Sequence, residues 1–122
     1  MPAIKVTVTV EVDGVVQLGF PLVRRVVVDQ VGAAQFTEAG PDAVPATALP
    51  VPVLALAQML VVAPASQPVQ VRLNGQTDSF VGVNAGGFLV LVDGDAGTSA
   101  QLLVGNPSAT STNIFGMAGG SV

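Results

Sequence analysis

The chain is predicted to be all-β, a single-domain antiparallel β-sandwich of jelly-roll-like form. Three observations predict it. Ile4, Val6, Val8, Val10 and Val12 alternate with Lys5, Thr7, Thr9 and Glu11, the period of two that sends successive side chains to opposite faces of a strand. Short Val-rich runs of this kind recur along the chain, each broken by Gly, Pro, Asn or Asp, at the spacing of sandwich and jelly-roll strands. Asp13-Gly14 and Asn74-Gly75 supply the positive φ that tight hairpin turns require.

Taken in order, the first run is a strand with one buried face, closed by Asp13-Gly14 before Val15 and Val16 begin another. Leu22 to Val31 forms the next run, and its continuous Val26-Val27-Val28 suggests burial on both faces, one against the core and one against a neighbour. Gly32, Ala33 and Ala34 then loosen the chain before Gln35, Phe36 and Thr37. The segment from Gly40 to Pro52 holds Pro41, Pro45, Pro50 and Pro52, too many missing backbone donors for a central strand. It is predicted to be a loop, or an arm that reaches across a neighbouring subunit.

Val53 to Val62 favours strand over helix, because it lacks a polar face and stops at Ala63-Pro64. Val69, Val71 and Leu73 alternate with Gln70, Arg72 and Asn74, and Asn74-Gly75 marks a hairpin. Phe80 to Val83, Phe88 to Val92 and Gln101 to Val104 follow as short strands. Thr110 to Met117 makes the last, ahead of a Gly-Gly tail.

Composition bounds the chemistry. At 122 residues the chain has the size of one domain and can bury a core without disulfides or metal. Half its residues are hydrophobic and only 10% are charged, so some apolar surface is expected to meet another subunit. Cysteine and histidine are both absent, which removes thiol chemistry, the commonest general base and the commonest transition-metal ligand. No enzyme activity, cofactor or metal is expected.

A net charge of −4, with Arg24-Arg25 as the one basic cluster, argues against a nucleic-acid partner. The apolar stretch from Ala48 to Ala63 is broken by Pro50, Pro52 and Gln58 and reads as buried strand rather than membrane span. The first apolar residues alternate with polar ones, so no signal peptide is expected and synthesis is placed in the cytoplasm.

Each candidate site has a simpler explanation. Asp93-Gly94-Asp95-Ala96-Gly97 looks like a calcium loop but lacks the further oxygen ligands, among which only Asp78 could be recruited. A turn accounts for it. Asn84-Ala85-Gly86-Gly87 could cradle phosphate only with a helix behind it, and strand follows. The acids Glu11, Asp13, Asp29, Glu38, Asp42, Asp78, Asp93 and Asp95 fall at or beside turns, with no pair placed by spacing. A sugar platform normally uses Trp or Tyr, and the chain has neither. Its phenylalanines, Phe20, Phe36, Phe80, Phe88 and Phe115, are expected mostly in the core.

From Val71 to Gly120 the chain reads Val-Arg-Leu-Asn-Gly, then Val-Asn-Ala-Gly-Gly-Phe-Leu-Val-Leu-Val-Asp-Gly, then Leu-Leu-Val-Gly-Asn-Pro-Ser-Ala-Thr, then Ile-Phe-Gly-Met-Ala-Gly-Gly. This resembles the C-terminal half of small all-β structural proteins of tailed bacteriophage particles. The resemblance implies a virion structural role, above all capsid decoration or cementing, with tail and head-fibre components as the nearest alternative. The implied partners are the major capsid protein or other virion proteins, and the chain itself as a small homo-oligomer, dimer or trimer. A carbohydrate-binding β-sandwich module is the alternative of a different class. The residues expected at contacts are Arg24, Arg25, Pro45, Pro50 and Pro52, with Phe115 and Met117.

Overall fold

The computed structural model describes residues 2–10, 22–76 and 79–122. Among the described residues ten strands follow one another: β1 (Ala3–Val8), β2 (Leu22–Val27), β3 (Gln30–Glu38), β4 (Thr47–Ala48), β5 (Leu56–Pro64), β6 (Val69–Arg72), β7 (Val81–Val83), β8 (Leu89–Leu91), β9 (Leu103–Gly105) and β10 (Thr112–Ser121). A 3-10 turn, Ser99–Gln101, precedes β9. Every strand pairing is antiparallel.

Two four-stranded sheets, in the orders β3-β10-β5-β8 and β4-β9-β6-β7, form the sandwich, and β1-β2 is a separate ribbon. Leu60, Val62, Ile114 and Ala118 from the first sheet meet Val69, Val71, Val83 and Val104 from the second in one buried cluster. Alternation explains the selection, since residues an even number apart on one strand, two for Leu60 and Val62 and four for Ile114 and Ala118, share the inward face. The pairing is nested: β3 joins β10, β4 joins β9, β5 joins β8 and β6 joins β7, so the pairs alternate between the sheets.

The ribbon lies over the outer face of the first sheet. Ile4, Val6 and Val92 pack around Val26, Val28 and Met59 in a second, smaller cluster. Close approach is possible because β10 carries Gly119 beneath the ribbon, where a Cβ would sit 2.8 Å from the Ile4 Cδ1 atom. This corrects the expected Gly-Gly tail: Gly119 and Gly120 lie inside β10, at a bulge opposite Met59 and Ala57, and their missing side chains make room for Ile4 and for the Leu56 carbonyl.

Other expectations need correction. The first strand buries only part of its apolar face, because Ile4 and Val6 reach the body while Val8 is 37% and Val10 55% exposed. Val12 and the Asp13-Gly14 turn lie outside the described residues. The run from Leu22 to Val31 is two strands broken at Val28 and Asp29, and β3 runs straight through Gly32, Ala33 and Ala34. Val26 and Val28 are buried but Val27 is exposed, so ordinary alternation replaces burial on both faces.

Asn74 and Gly75 do turn the chain, with φ of 56° and 66° and Gln76 N–H donating to the Leu73 carbonyl at 3.1 Å. The strands they separate first pair at Val71 and Val81, so the connection is longer than a two-residue hairpin. The segment from Gly40 to Pro52 is a loop on its own sandwich rather than a free arm: β4 within it pairs with β9, and Leu49 is buried in the main cluster.

Candidate interaction face

Alternation fixes which side chains point outward from the first sheet. Phe36, Leu60, Ile114 and Leu91 face the core, so Ala33, Gln35, Val61, Ala63, Phe115, Met117 and Val90 face away from it. Register then assembles them. Ala33, Met117, Val61 and Val90 stand directly opposite one another across all four strands, and Gln35, Phe115 and Ala63 form the next row. Phe88, one step before β8, continues the alternation of Val90 onto the same face and is 72% exposed. Thr37 and Asn113 close the patch with a side-chain hydrogen bond of 2.7 Å.

The described residues of the ribbon pack on the Gly119 and Met59 end of this face. What remains is an apolar, charge-free patch bearing two exposed aromatic rings. By contrast, β6 of the other sheet shows Gln70 and Arg72 outward. Contiguous apolar surface rimmed by polar groups is the mark of a protein-contact site, since it gains most from being taken out of water.

The residues expected at contacts separate into three groups. Phe115 and Met117 lie in the patch, Phe115 37% exposed and Met117 half-buried. Arg24 points from the ribbon to the body, where its Nε donates to Asp93 Oδ2 at 2.7 Å and a second guanidinium nitrogen binds the same oxygen. Arg25 sits on the other ribbon face, exposed and directly opposite Lys5. Pro45 is buried against Gly105 and presents no surface, Pro50 is exposed, and Pro52 is half-buried where Gly32 leaves space for its ring.

Phenylalanine use also departs from expectation. Phe36 packs on the core, but Phe80, Phe88 and Phe115 are exposed, and Phe20 lies outside the described residues. Val61, Ala63, Val90 and Ala33, which share the patch with Phe115 and Met117, are not among the residues expected at contacts. The available signal was the apolar run of β5, Leu56 to Pro64, interrupted only by Gln58; a central strand apolar on both faces has one face left over for another layer.

The acidic candidates serve local structure. Asp93 holds Arg24, Asp95 Oδ1 accepts the Gly97 N–H at 2.9 Å, and Asp29 Oδ2 accepts the Val122 N–H at 3.0 Å. Among the described residues no three Asp or Glu side chains gather as a metal site; Glu11, Asp13 and Asp78 lie outside them. Asn84 to Gly87 is a turn, closed by the Gly87 N–H on the Asn84 carbonyl at 2.8 Å. A groove of about 400 Å³ runs between Val8, Leu22 and Arg24 of the ribbon and Val92 and Asp93 of the body. No described helix is long and apolar enough to cross a membrane.

The titration of Glu38 is displaced. Burial raises its pKa above the usual carboxylate range; the Thr47 hydrogen bond opposes this, and the hydrogen bond and negative charge of Asp42 add to it. The folded state therefore holds the Glu38 proton more tightly than the unfolded chain does. Stability from this group is present at acid pH and falls as pH rises through the raised pKa. Glu38→Gln should flatten that part of the profile, read from melting temperatures across the carboxylate range; an unchanged slope would refute the assignment.

No protein-family model, curated protein or solved structure matches this chain.

Proposed function

We propose that this chain is a structural protein of a bacteriophage particle, a decoration or cement protein that binds the outside of the icosahedral shell. The observation that carries the reading is the uncovered apolar face of the β3-β10-β5-β8 sheet. Apolar burial of about 25 cal/mol per Å² stabilises a joint between shell subunits, and repetition over the shell multiplies the effect. Such a task requires mating surfaces and no reactive groups.

The jelly-roll part of the reading is supported by the nested strand order. Pairing β3 with β10 and so inward to β6 with β7, shared between two sheets, is how a double ribbon wraps into the jelly rolls common in capsid and lectin domains. The resemblance of residues 71–120 to tailed-phage structural proteins supports the particle assignment, with synthesis in the host cytoplasm and the major capsid protein as partner.

Mixing the purified chain with shells that lack it tests the proposal. Co-sedimentation and a raised shell melting temperature are expected. Met117→Asp should weaken binding by about 100-fold or more, because it places a charge in the middle of a desolvated contact, while leaving the chain's own melting nearly unchanged. A chain indifferent to shells overturns the reading, and co-purification with tails alone would replace it with a tail or fibre role.

A further inference from the structure

We infer that the chain forms a two-fold dimer through the edge of β3 that no other described strand pairs, joining two four-stranded sheets into one of eight strands. β3 ends its sheet and spans nine residues, Gln30 to Glu38, while the other ends of the two four-stranded sheets, β8, β4 and β7, have three, two and three residues. Natural edges are blunted by shortness, proline, bulges or charge. The short ends follow that rule, and β3 does not: it contains no proline, pairs with β10 without a bulge and carries its single charge at its last residue. An unprotected row of backbone donors and acceptors is a template for another strand.

A second copy is the occupant that the edge fits. Antiparallel pairing about a two-fold axis at Ala34 matches all nine residues, setting Val31 against the partner strand's Thr37 position and Ala33 against its Gln35 position. Glu38 then faces Gln30 of the other copy, and the two acids stand roughly 27 Å apart at about 3.4 Å per residue. In-register parallel pairing would place them side by side. Continuity is the second argument. The uncovered patch of one copy covers on the order of 300 Å² at ordinary strand spacing, below the roughly 800 Å² per partner of a standard interface. Two-fold pairing places the Ala33-Met117-Val61-Val90 rows of both copies on one face and doubles the platform. A foreign strand would fill the edge without doing that.

This deepens the proposed particle role and rests on it only for the purpose of the enlarged face. Sedimentation velocity of the full chain without shells therefore tests it separately from shell binding. The wild-type chain is expected to sediment as a dimer at micromolar concentration. A33K/Q35K places lysines directly opposite each other at exposed positions and should weaken the dimer by about 100-fold or more with unchanged melting of the monomer. A33K/Q35E sets opposite charges against each other and should keep the dimer, now weakened by salt. A monomeric wild type, or an A33K/Q35K chain that remains dimeric, overturns the inference whatever the shell experiment shows.

Discussion

Val71→Asp is expected to abolish cooperative folding. Val71 is fully buried, paired with Val81 on one side and Val104 on the other, at the centre of the cluster that joins the sheets. Losing the valine forfeits about 1.5–3 kcal/mol of burial, and a carboxylate there costs several kcal/mol more, roughly, because no partner replaces its water. Domains of this kind hold only about 5–15 kcal/mol in total. Circular dichroism should show no cooperative melt at neutral pH, with partial recovery on acidification as the new carboxyl protonates. Val8→Asp is the control. Alternation alone gives Val8 the same buried status, but it is 37% exposed near the end of the ribbon, so its change should cost about 1 kcal/mol or less. Equal damage from both would mean that the ribbon's apolar face is buried along its full length.

Asn106→Leu should be the most damaging loss of a polar group. Asn106 is buried, its Nδ2 donates to the Glu38 and Thr110 carbonyls at 3.2 and 2.8 Å, and its Oδ1 accepts the Ser108 N–H at 2.9 Å. Its backbone N–H and carbonyl bind the side chain and N–H of Asp42. The side chain thus ties the end of β3 to the turn leading to β10, while the backbone of the same residue holds the loop carrying Asp42. Leucine fills similar space but strands three backbone groups, each costing about 1–3 kcal/mol when buried without a partner. A loss of roughly 3–5 kcal/mol is expected from denaturant unfolding. Asn106→Asp, protonated at acid pH, keeps an acceptor and one O–H donor in place of two N–H donors, and should fall between leucine and wild type there. A loss under about 1 kcal/mol for leucine would show that the loop finds other partners.

Alternation is a local property, which is why it was legible without a structure. The apolar phases at Ile4 and Val6 and at Val69 and Val71 follow from strand geometry alone, as do the turns at Asn74-Gly75 and Asn84 to Gly87. Polar accounting was legible too: a chain without cysteine or histidine lacks the usual reactive groups wherever it folds. That Phe115 and Met117 share a face follows from the same alternation, since they lie two apart on β10.

The remainder depended on which strands become neighbours, and that is set by contacts far apart in sequence. Nothing near Gly119 announces that Ile4 will lie over it, so a Gly-Gly pair that reads locally as a tail is the seat of the ribbon. Prolines from 41 to 52 forbid a central strand, but only the meeting of β4 with β9 and of Asp42 with Asn106 makes the segment a loop on its own body. Most of all, the row Ala33-Met117-Val61-Val90 comes from four strands spread over much of the chain. Each residue alone is one apolar side chain on an outward phase; cross-strand register makes them a surface. Sequence by itself thus determined the strand grammar and the poverty of reactive groups, because both are carried by near neighbours and composition. Tertiary structure decided which half of the apolar face is covered and which edge is left open, because burial depends on what packs above a residue, and that layer is supplied by distant parts of the chain.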